Sequence, residues 1–229
     1  MTTLYCLVHA GGTPAGYRSW IKDLSPGLKV VPVQHPRPGG GTSMTLQASA
    51  RGVAEQVGTE DYAFFGHSLG AVIAFEAARV LTQGGAPPRR LFACGSAVPP
   101  VESARARDLR LLPDREFLDE IARLGGLPPA VIADAELRHE FLPGLRADYT
   151  LAETYDYQEG PPLTCPISAF RGRTDPHVDL AGLRRWHEHT EDDTVVREVP
   201  GGHFPLQHAS LFLHRAIRKD LDIDLPAHR

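Results

Sequence analysis

The fold is decided by the stretch Asp61-Tyr-Ala-Phe-Phe-Gly-His-Ser-Leu-Gly70, which continues as Ala-Val-Ile-Ala-Phe-Glu-Ala-Ala-Arg-Val-Leu81. Its aromatic run Tyr62–Phe65 predicts a buried strand, and its Ala- and Leu-rich run Leu69–Leu81 predicts a helix. Between them, Gly66-His-Ser-Leu-Gly70 matches the pattern G-x-S-x-G in the strand–turn–helix setting that this pattern requires.

The turn is so tight that Cβ atoms at positions 66 and 70 would collide with neighbouring backbone, and both residues are glycine. Ser68 is therefore predicted to present an exposed hydroxyl at the positive end of a helix. We interpret Ser68 as a nucleophile. The alternative is a plain Gly-Ser turn that closes a βα unit.

The composition is that of a globular protein with one sizeable core. The chain has 229 residues, of which 42% are hydrophobic and 23% charged. A net charge of −4 argues against nucleic-acid binding. No apolar run reaches transmembrane length and no basic-then-apolar leader begins the chain, so we expect a cytoplasmic protein without membrane contact. Three widely spaced cysteines, Cys6, Cys94 and Cys165, favour reduced core thiols over a disulfide framework.

Strand-like and helical patterns alternate on both sides of residues 99–162. The predicted strands are Leu4–Val8, Val30–Val33, Tyr62–Phe65, Arg90–Cys94, Ile167–Phe170 and Thr194–Val199. The predicted helices of this part are Thr45–Val57, Leu69–Leu81, Leu180–His187 and Ser210–Leu221, and Tyr17–Leu24 is a short amphipathic segment. Such alternation predicts an α/β fold with a mostly parallel central sheet flanked by helices.

Residues 99–162 lack strand-like runs and are predicted to form a helical lid. The helical pieces are Arg115–Leu124, Asp134–Leu142 and Leu145–Tyr155, and Gly125-Gly126 with Pro128-Pro129 offers a hinge. We therefore divide the chain into a core of residues 1–98 and 163–229 and a lid of residues 99–162, because such insertions build the ligand crevice. Four arginines cluster near the start of the lid: Arg105, Arg107, Arg110 and Arg115. They could form an ordinary solvent-exposed face or a surface that binds an acidic partner.

A serine nucleophile needs a base, which in turn needs an orienting acid. In this type of sheet they follow in the order Ser, Asp or Glu, then His, each after a late strand. The predicted base is His203, in the loop after the last strand, and the predicted acid is Asp175, one strand–helix–strand unit earlier. Asp179 is the rival acid, and Asp175 could alternatively begin an Asp-Pro turn.

Two backbone N–H groups are needed for the oxyanion that forms when the nucleophile attacks. One is predicted from Leu69, the residue after the nucleophile. The other is predicted from the loop His9-Ala-Gly-Gly12 after the first strand, with Ala10 as the donor. A simple turn with two glycines is the alternative for this loop.

With these residues placed, the chain resembles the type II thioesterases of polyketide and nonribosomal peptide biosynthesis. These are free-standing α/β-hydrolases that clear acyl groups from carrier-protein phosphopantetheine arms. The matching segments span nearly the whole chain: His9-Ala-Gly-Gly12, Val33-Gln34, Gly66-His-Ser-Leu-Gly70, Leu124-Gly-Gly-Leu-Pro128, Leu145-Arg-Ala-Asp148, Glu153-Thr-Tyr155, Cys165-Pro-Ile167, Trp186-His-Glu-His-Thr190 and Gly201-Gly-His-Phe204.

The resemblance implies an editing thioester hydrolase with the triad Ser68, His203 and Asp175. It implies no cofactor and no metal, and a partner that is an acyl carrier protein or peptidyl carrier protein. We expect a monomer. The alternatives are a dedicated product-releasing or cyclising thioesterase, and a catalytically silent carrier-binding protein of the same fold; the intact triad argues against the second.

One segment departs from the family pattern. After Val33-Gln34 the family usually has a Pro-Gly-Arg run and a longer loop, whereas this chain reads His35-Pro-Arg-Pro-Gly-Gly-Gly41. Because the segment is expected near the mouth of the site, we expect the pocket shape and the substrate range to be affected.

Overall fold

Six parallel strands form the central sheet of the protein, whose computed structural model describes residues 1–37, 44–58, 60–98, 108–123, 125–127 and 129–224. The order across the sheet is β2-β1-β3-β4-β5-β6, and every neighbouring pair is parallel. The predicted fold class is confirmed. The strands are β1 Thr2–Leu7, β2 Leu28–Val33, β3 Tyr62–His67, β4 Leu91–Cys94, β5 Ile167–Gly172 and β6 Thr194–Val199.

Helices cover both faces of the sheet, which is why the inner strands are apolar on both sides. Along β3 the side chains alternate between the two cores: Tyr62 and Phe64 pack with Ile73 on one face, while Ala63 and Phe65 pack with Trp20 on the other. The helices of this part of the chain are α1 Arg18–Asp23, α2 Leu46–Ala54, α3 Leu69–Gln83, α7 Leu180–Arg184 and α8 Ser210–Asp220.

The order of the strands reverses between β1 and β3. The chain moves from β1 outward to β2 and then returns to the other side of β1 for β3. In open parallel sheets, ligands bind beyond the carboxyl ends of the strands at such a reversal. The loop His9–Gly12 follows β1 and Ser68 follows β3, so both lie at this point.

The lid segment, residues 99–162, contains the helices α4 Asp114–Arg123, α5 Pro129–Ala133 and α6 Ala135–Glu153. These helices enclose an apolar cluster of their own, made of buried side chains: Leu109, Phe117, Ile121, Leu127, Val131 and Leu145. The division into lid and core was predicted from the sequence and remains a prediction, since residues 99–107 lie outside the described residues.

The prediction of two separate helices at 134–142 and 145–155 was wrong, because α6 runs without a break through Pro143. Proline removes the N–H that would bond the carbonyl of His139. Both residues are exposed, so water can satisfy that carbonyl and the helix continues. The short helix α5 was not predicted.

Helix α6 is anchored to the rest of the protein and is not a loose flap. Leu145 and Leu151 are fully buried. Just beyond its end, the Tyr155 hydroxyl donates to Glu76 Oε1 of α3 at 2.5 Å. No helix in the described ranges is long and apolar enough to cross a membrane.

Candidate active site

Ser68 lies on a strained turn between β3 and α3. Its φ of 54° and ψ of −120° fall in a region that residues other than glycine rarely adopt. A Cβ at Gly66 would come within 2.3 Å of the Gly70 carbonyl oxygen, and one at Gly70 within 2.5 Å of the Val8 carbonyl oxygen. The two glycines therefore permit the close approach that the sequence predicted, and Ser68 remains partly exposed.

The structure brings the three side chains proposed from the sequence into one hydrogen-bonded row. His203 Nε2 lies 3.1 Å from Ser68 Oγ, and His203 Nδ1 lies 2.9 Å from Asp175 Oδ2. Ser68 follows β3, Asp175 follows β5 and His203 follows β6, so parallel strands deliver all three to the same edge of the sheet. Their catalytic roles remain a prediction.

Asp175 is a buried carboxylate with two partners. Burial alone would raise its pKa, but the hydrogen bond from His203 and the N–H of His177, which donates to Oδ1 at 2.8 Å, hold the pKa below its usual value. An ionised carboxylate only accepts, so Nδ1 of His203 carries the proton. Nε2 of His203 is then the ring nitrogen that faces the Ser68 hydroxyl.

Asp179, the rival acid, is occupied elsewhere. It is the N-cap of α7, where its Oδ1 accepts from the Gly182 N–H at 2.6 Å. The geometry therefore pairs Asp175 with His203, and Asp179 serves a helix end.

The loop His9–Gly12 forms a tight turn that leaves one backbone donor unoccupied. The Gly12 N–H donates to the His9 carbonyl at 2.8 Å, and Gly11 has a φ of +74°, as at the third position of a type II turn. The Gly11 N–H donates to Asp148 Oδ2 at 2.7 Å. Among the described residues, the N–H groups of Ala10 and Leu69 donate to no protein atom, which leaves both for an oxyanion.

His67, the residue before Ser68 in the G-x-S-x-G turn, contacts the backbone of His203 in a way that the sequence analysis missed. Its Nε2 lies 2.7 Å from the His203 carbonyl oxygen, which only accepts, so Nε2 carries the proton. Its Nδ1 then accepts from His9 Nδ1 at 3.3 Å. Burial lowers the pKa of His67 well below 6.5 and that of His9 to about 4, which keeps both rings neutral.

Phe204 connects this group of rings to the lid segment. Its ring centroid lies 5.1 Å from that of His203, 5.1 Å from that of His9 and 5.3 Å from that of His67. A Cβ at Gly125 would lie 3.6 Å from the same ring. Gly125, in the turn after α4, therefore lies against Phe204, whose ring in turn lies beside the histidine that faces Ser68.

The segment that follows β2 and differs from the family pattern binds the lid helix α6. Arg37 donates from Nε and Nη2 to Asp148 of α6, both at 2.7 Å, and His35 Nε2 lies 3.0 Å from the same carboxylate. Residues 38–43, which the sequence analysis expected to alter the pocket, lie outside the described residues.

Of the arginines at the front of the lid segment, Arg110 is bound within the lid segment itself. Its guanidinium pairs with Asp108 at 3.2 Å and approaches Glu153 at 3.7 Å. Arg105 and Arg107 lie outside the described residues. In the part of the chain that the structure describes, no three His, Cys, Asp or Glu side chains are grouped to hold a metal ion.

The profile of the thioesterase domain family matches residues 2–219. The chain is 39% identical over 212 residues to thioesterase PikA5 of Streptomyces venezuelae, covering 89% of this chain and 75% of that protein. It is 36% identical over 209 residues to the gramicidin S biosynthesis protein GrsT of Aneurinibacillus migulanus, covering 88% of this chain and 81% of that protein.

A solved structure has the same fold. The RedJ thioesterase from the prodiginine biosynthetic pathway in Streptomyces coelicolor superposes with a TM-score of 0.87 at 36% identity, covering 96% of this chain and 85% of that chain. Sequence match and superposition both extend over almost the whole chain. This protein therefore belongs to the thioesterase family, and it is a thioester hydrolase with the α/β-hydrolase fold.

Proposed function

We propose that this protein removes acyl groups from the phosphopantetheine arms of acyl or peptidyl carrier proteins in polyketide or nonribosomal peptide biosynthesis. The observation that carries the proposal is the hydrogen-bonded row of three side chains. Ser68 Oγ lies 3.1 Å from His203 Nε2, and His203 Nδ1 lies 2.9 Å from Asp175 Oδ2. The relatives in gramicidin S and prodiginine biosynthesis support the carrier-bound substrate.

In the proposed acylation step, Ser68 Oγ attacks the carbonyl carbon of the thioester while His203 Nε2 takes the hydroxyl proton. The N–H groups of Ala10 and Leu69 hold the negative oxygen of the tetrahedral intermediate. The carbon–sulfur bond then breaks, and His203 returns the proton to the departing pantetheine thiol. Asp175 stays ionised throughout and stabilises the imidazolium.

Deacylation repeats the same proton transfers with water as the nucleophile. His203 takes a proton from water, the hydroxide adds to the acyl-Ser68 carbonyl, and the proton passes to Ser68 Oγ as the carboxylic acid leaves. Hydrolysis, and not cyclisation, is the expected outcome. No cofactor or metal enters these steps.

Hydrolysis of a panel of carrier proteins loaded with short to long acyl groups tests the proposal, with acyl-pantetheine analogues alongside. Ser68→Ala should lower turnover by about 10⁴-fold or more and abolish covalent labelling by a fluorophosphonate, because the nucleophile is lost. Ser96→Ala is the matched control: Ser96 follows β4 at the same sheet edge, but its hydroxyl donates to the Ala97 carbonyl. We expect its activity to stay within about threefold, as for a mutation that leaves the triad intact.

Two results would contradict the proposal. The nucleophile is wrongly assigned if Ser68→Ala keeps more than about 1% of the wild-type turnover, far above what a triad deletion leaves. The editing function is wrong if the wild-type enzyme converts every loaded carrier only to a cyclic or amine-linked product and releases no free acid.

A further inference from the structure

Asp148 is a fully buried carboxylate in the middle of the lid helix α6, and it accepts four hydrogen bonds. The donors are the Gly11 N–H at 2.7 Å, His35 Nε2 at 3.0 Å, and Arg37 Nε and Nη2, both at 2.7 Å. A carboxylate has about four lone-pair sites, and all are used. Burial of a charge is costly unless it is paired in this way, so the arrangement stabilises one position of α6 against the loop after β1.

The N–H that Asp148 binds is the one that fixes the shape of the turn His9–Gly12. In a four-residue turn, type I and type II geometries differ by a flip of the central peptide, which here joins Ala10 to Gly11. The flipped peptide would aim the Ala10 carbonyl oxygen at the Asp148 carboxylate, where two acceptors would repel each other. Asp148 therefore favours the observed turn, and Arg37 Nη2 supports it by donating to the Gly12 carbonyl at 3.2 Å.

Helix α6 and the turn are in close contact at Gly11, where there is no room for a side chain. A Cβ at Gly11 would meet Leu145 Cδ1 at 2.7 Å and Phe141 at 2.9 Å, both side chains of α6. The helix thus lies against the turn on the side of Gly11. The Ala10 N–H, one peptide earlier, is left unengaged among the described residues.

We propose that Asp148 is a positioning residue for the oxyanion hole: through the Gly11 N–H it holds the turn His9–Gly12 so that the Ala10 N–H faces the carbonyl that Ser68 attacks. This inference rests on the proposed function. Just beyond the end of the same helix, Tyr155 donates to Glu76 of α3, the helix that begins with Leu69. The lid segment therefore contacts both elements that carry the proposed N–H donors.

Asp148→Asn tests the proposal with Glu153→Gln as its matched control. Asparagine turns one acceptor into a donor, so the Gly11 N–H, His35 or Arg37 must lose its partner. Glu153 lies in the same helix and is also buried, but it accepts from the N–H groups of Leu109 and Arg110 within the lid segment, away from the turn. Loss of one oxyanion donor typically lowers kcat by about 10²–10³-fold.

For Asp148→Asn we expect kcat to fall by about 10²-fold while KM changes less than about threefold, because the transition state loses a donor that the bound substrate does not need. Affinity for an acyl trifluoromethyl ketone, which forms an oxyanion on Ser68, should fall by the same factor as kcat. Affinity for a non-hydrolysable thioether analogue should not change. Glu153→Gln should stay within about threefold of wild type in all three measurements, since the donors keep their places.

The role of Asp148 is overturned if its asparagine variant, shown to be folded by thermal melting, keeps kcat within about threefold of wild type, or if ketone and thioether affinities fall together. Should that variant fail to fold, Arg37→Lys decides. Lysine keeps the charge but cannot reach both Asp148 and Gly12, so kcat should fall by about tenfold, and unchanged kinetics would overturn the proposal. A wild-type protein that cleaves no thioester would instead defeat the proposed function.

Discussion

Asp175 and Asp179 show how two identical side chains four residues apart acquire different tasks. The backbone after β5 turns so that Asp175 faces His203 at 2.9 Å, while Asp179 begins α7 and accepts from the Gly182 N–H. The difference lies in the distance to His203, a residue that arrives from another strand. Sequence spacing brought both carboxylates into consideration, and only the tertiary structure separates them.

Exchange of each aspartate for asparagine measures this difference. Asp175→Asn should lower kcat by about 10⁴-fold, because the amide favours the wrong tautomer of His203 and cannot stabilise the imidazolium. Asp179→Asn keeps a side-chain oxygen that can cap α7 and should leave kcat within about threefold. Steady-state kinetics on one acyl-pantetheine thioester compare the two, and the reverse ranking would show that Asp179 is the acid.

The side chains that the sequence analysis missed act through backbone groups far away in the chain. His67 binds the carbonyl of His203, and Asp148 binds the N–H of Gly11. Ser68, Asp175 and His203 were predictable because each follows a strand of a parallel sheet, and the topology alone brings those positions together. No comparable rule predicts which loop a helix of an insertion will contact. The contacts of Asp148 could therefore not be predicted from the sequence.

Helix α6 shows the limits of local sequence signals for whole elements. Pro143 and Gly144 predicted a break, yet the helix continues because packing of Leu145 and Leu151 outweighs the unfavourable helix propensity of these two residues. Strand β6, by contrast, has the predicted bounds, Thr194–Val199, since its β-branched run is flanked by an acidic turn and by Pro200.

The turn after α4 is the segment where we expect lid movement, because α6 is fixed by Asp148 and Tyr155. Gly125→Val should change kcat and KM together, since valine is strained at a φ of +76° and its branched side chain would press on Phe204 beside His203. The measurement is steady-state kinetics with a short and a long acyl thioester.

Gly85→Val provides the control for backbone strain. Gly85 has a similar φ of +78°, but no atom lies within 4 Å of a Cβ there. Both variants should lose about 1–2 kcal/mol of stability from the left-handed backbone. Only Gly125→Val should alter the kinetics. Unchanged kinetics in that variant would mean that the turn is static packing.

The protein as a whole carries several histidines that remain neutral when it is folded. Burial lowers the pKa of His9 to about 4 and that of His67 well below 6.5, and it also lowers the pKa of His214, which packs on Trp20. Below pH 6.5 the unfolded chain therefore binds more protons at these positions than the folded chain does. The free energy of unfolding should therefore fall as the pH drops below 6.5.

The carboxylates act in a lower pH range. Burial works against the ionised form of Asp148 and Asp175, but their hydrogen bonds keep both pKa values below 3.8 in the folded state. The stabilisation that these two carboxylates give the folded state is complete at pH values above their pKa in the unfolded chain. It is lost only as the pH falls below about 3.8. These two carboxylates therefore contribute little to a loss of stability between pH 6.5 and 4.

Urea denaturation between pH 7.5 and 4.5 measures this loss. His9 and His67 together should give a slope of about 2–3 kcal/mol per pH unit near pH 5, since each proton contributes about 1.4 kcal/mol per unit. His9→Gln should reduce this slope by about 1.4 kcal/mol per pH unit, which corresponds to one proton. This expectation holds whatever the substitution does to the free energy of unfolding at pH 7.5. A flat profile from pH 7 to 5 would mean that these rings are protonated in the folded protein.

Strands β4 and β5 are paired neighbours, with Leu91 opposite Ile167, although about a third of the chain lies between them. An insertion whose two ends emerge side by side can change in length or sequence without shifting the register of the sheet. Residues 108–133 can therefore vary between related proteins without disturbing the pairing of β4 with β5. Helix α6 should vary less, because Asp148 binds the Gly11 N–H and Tyr155 binds Glu76 of α3, next to the proposed catalytic residues.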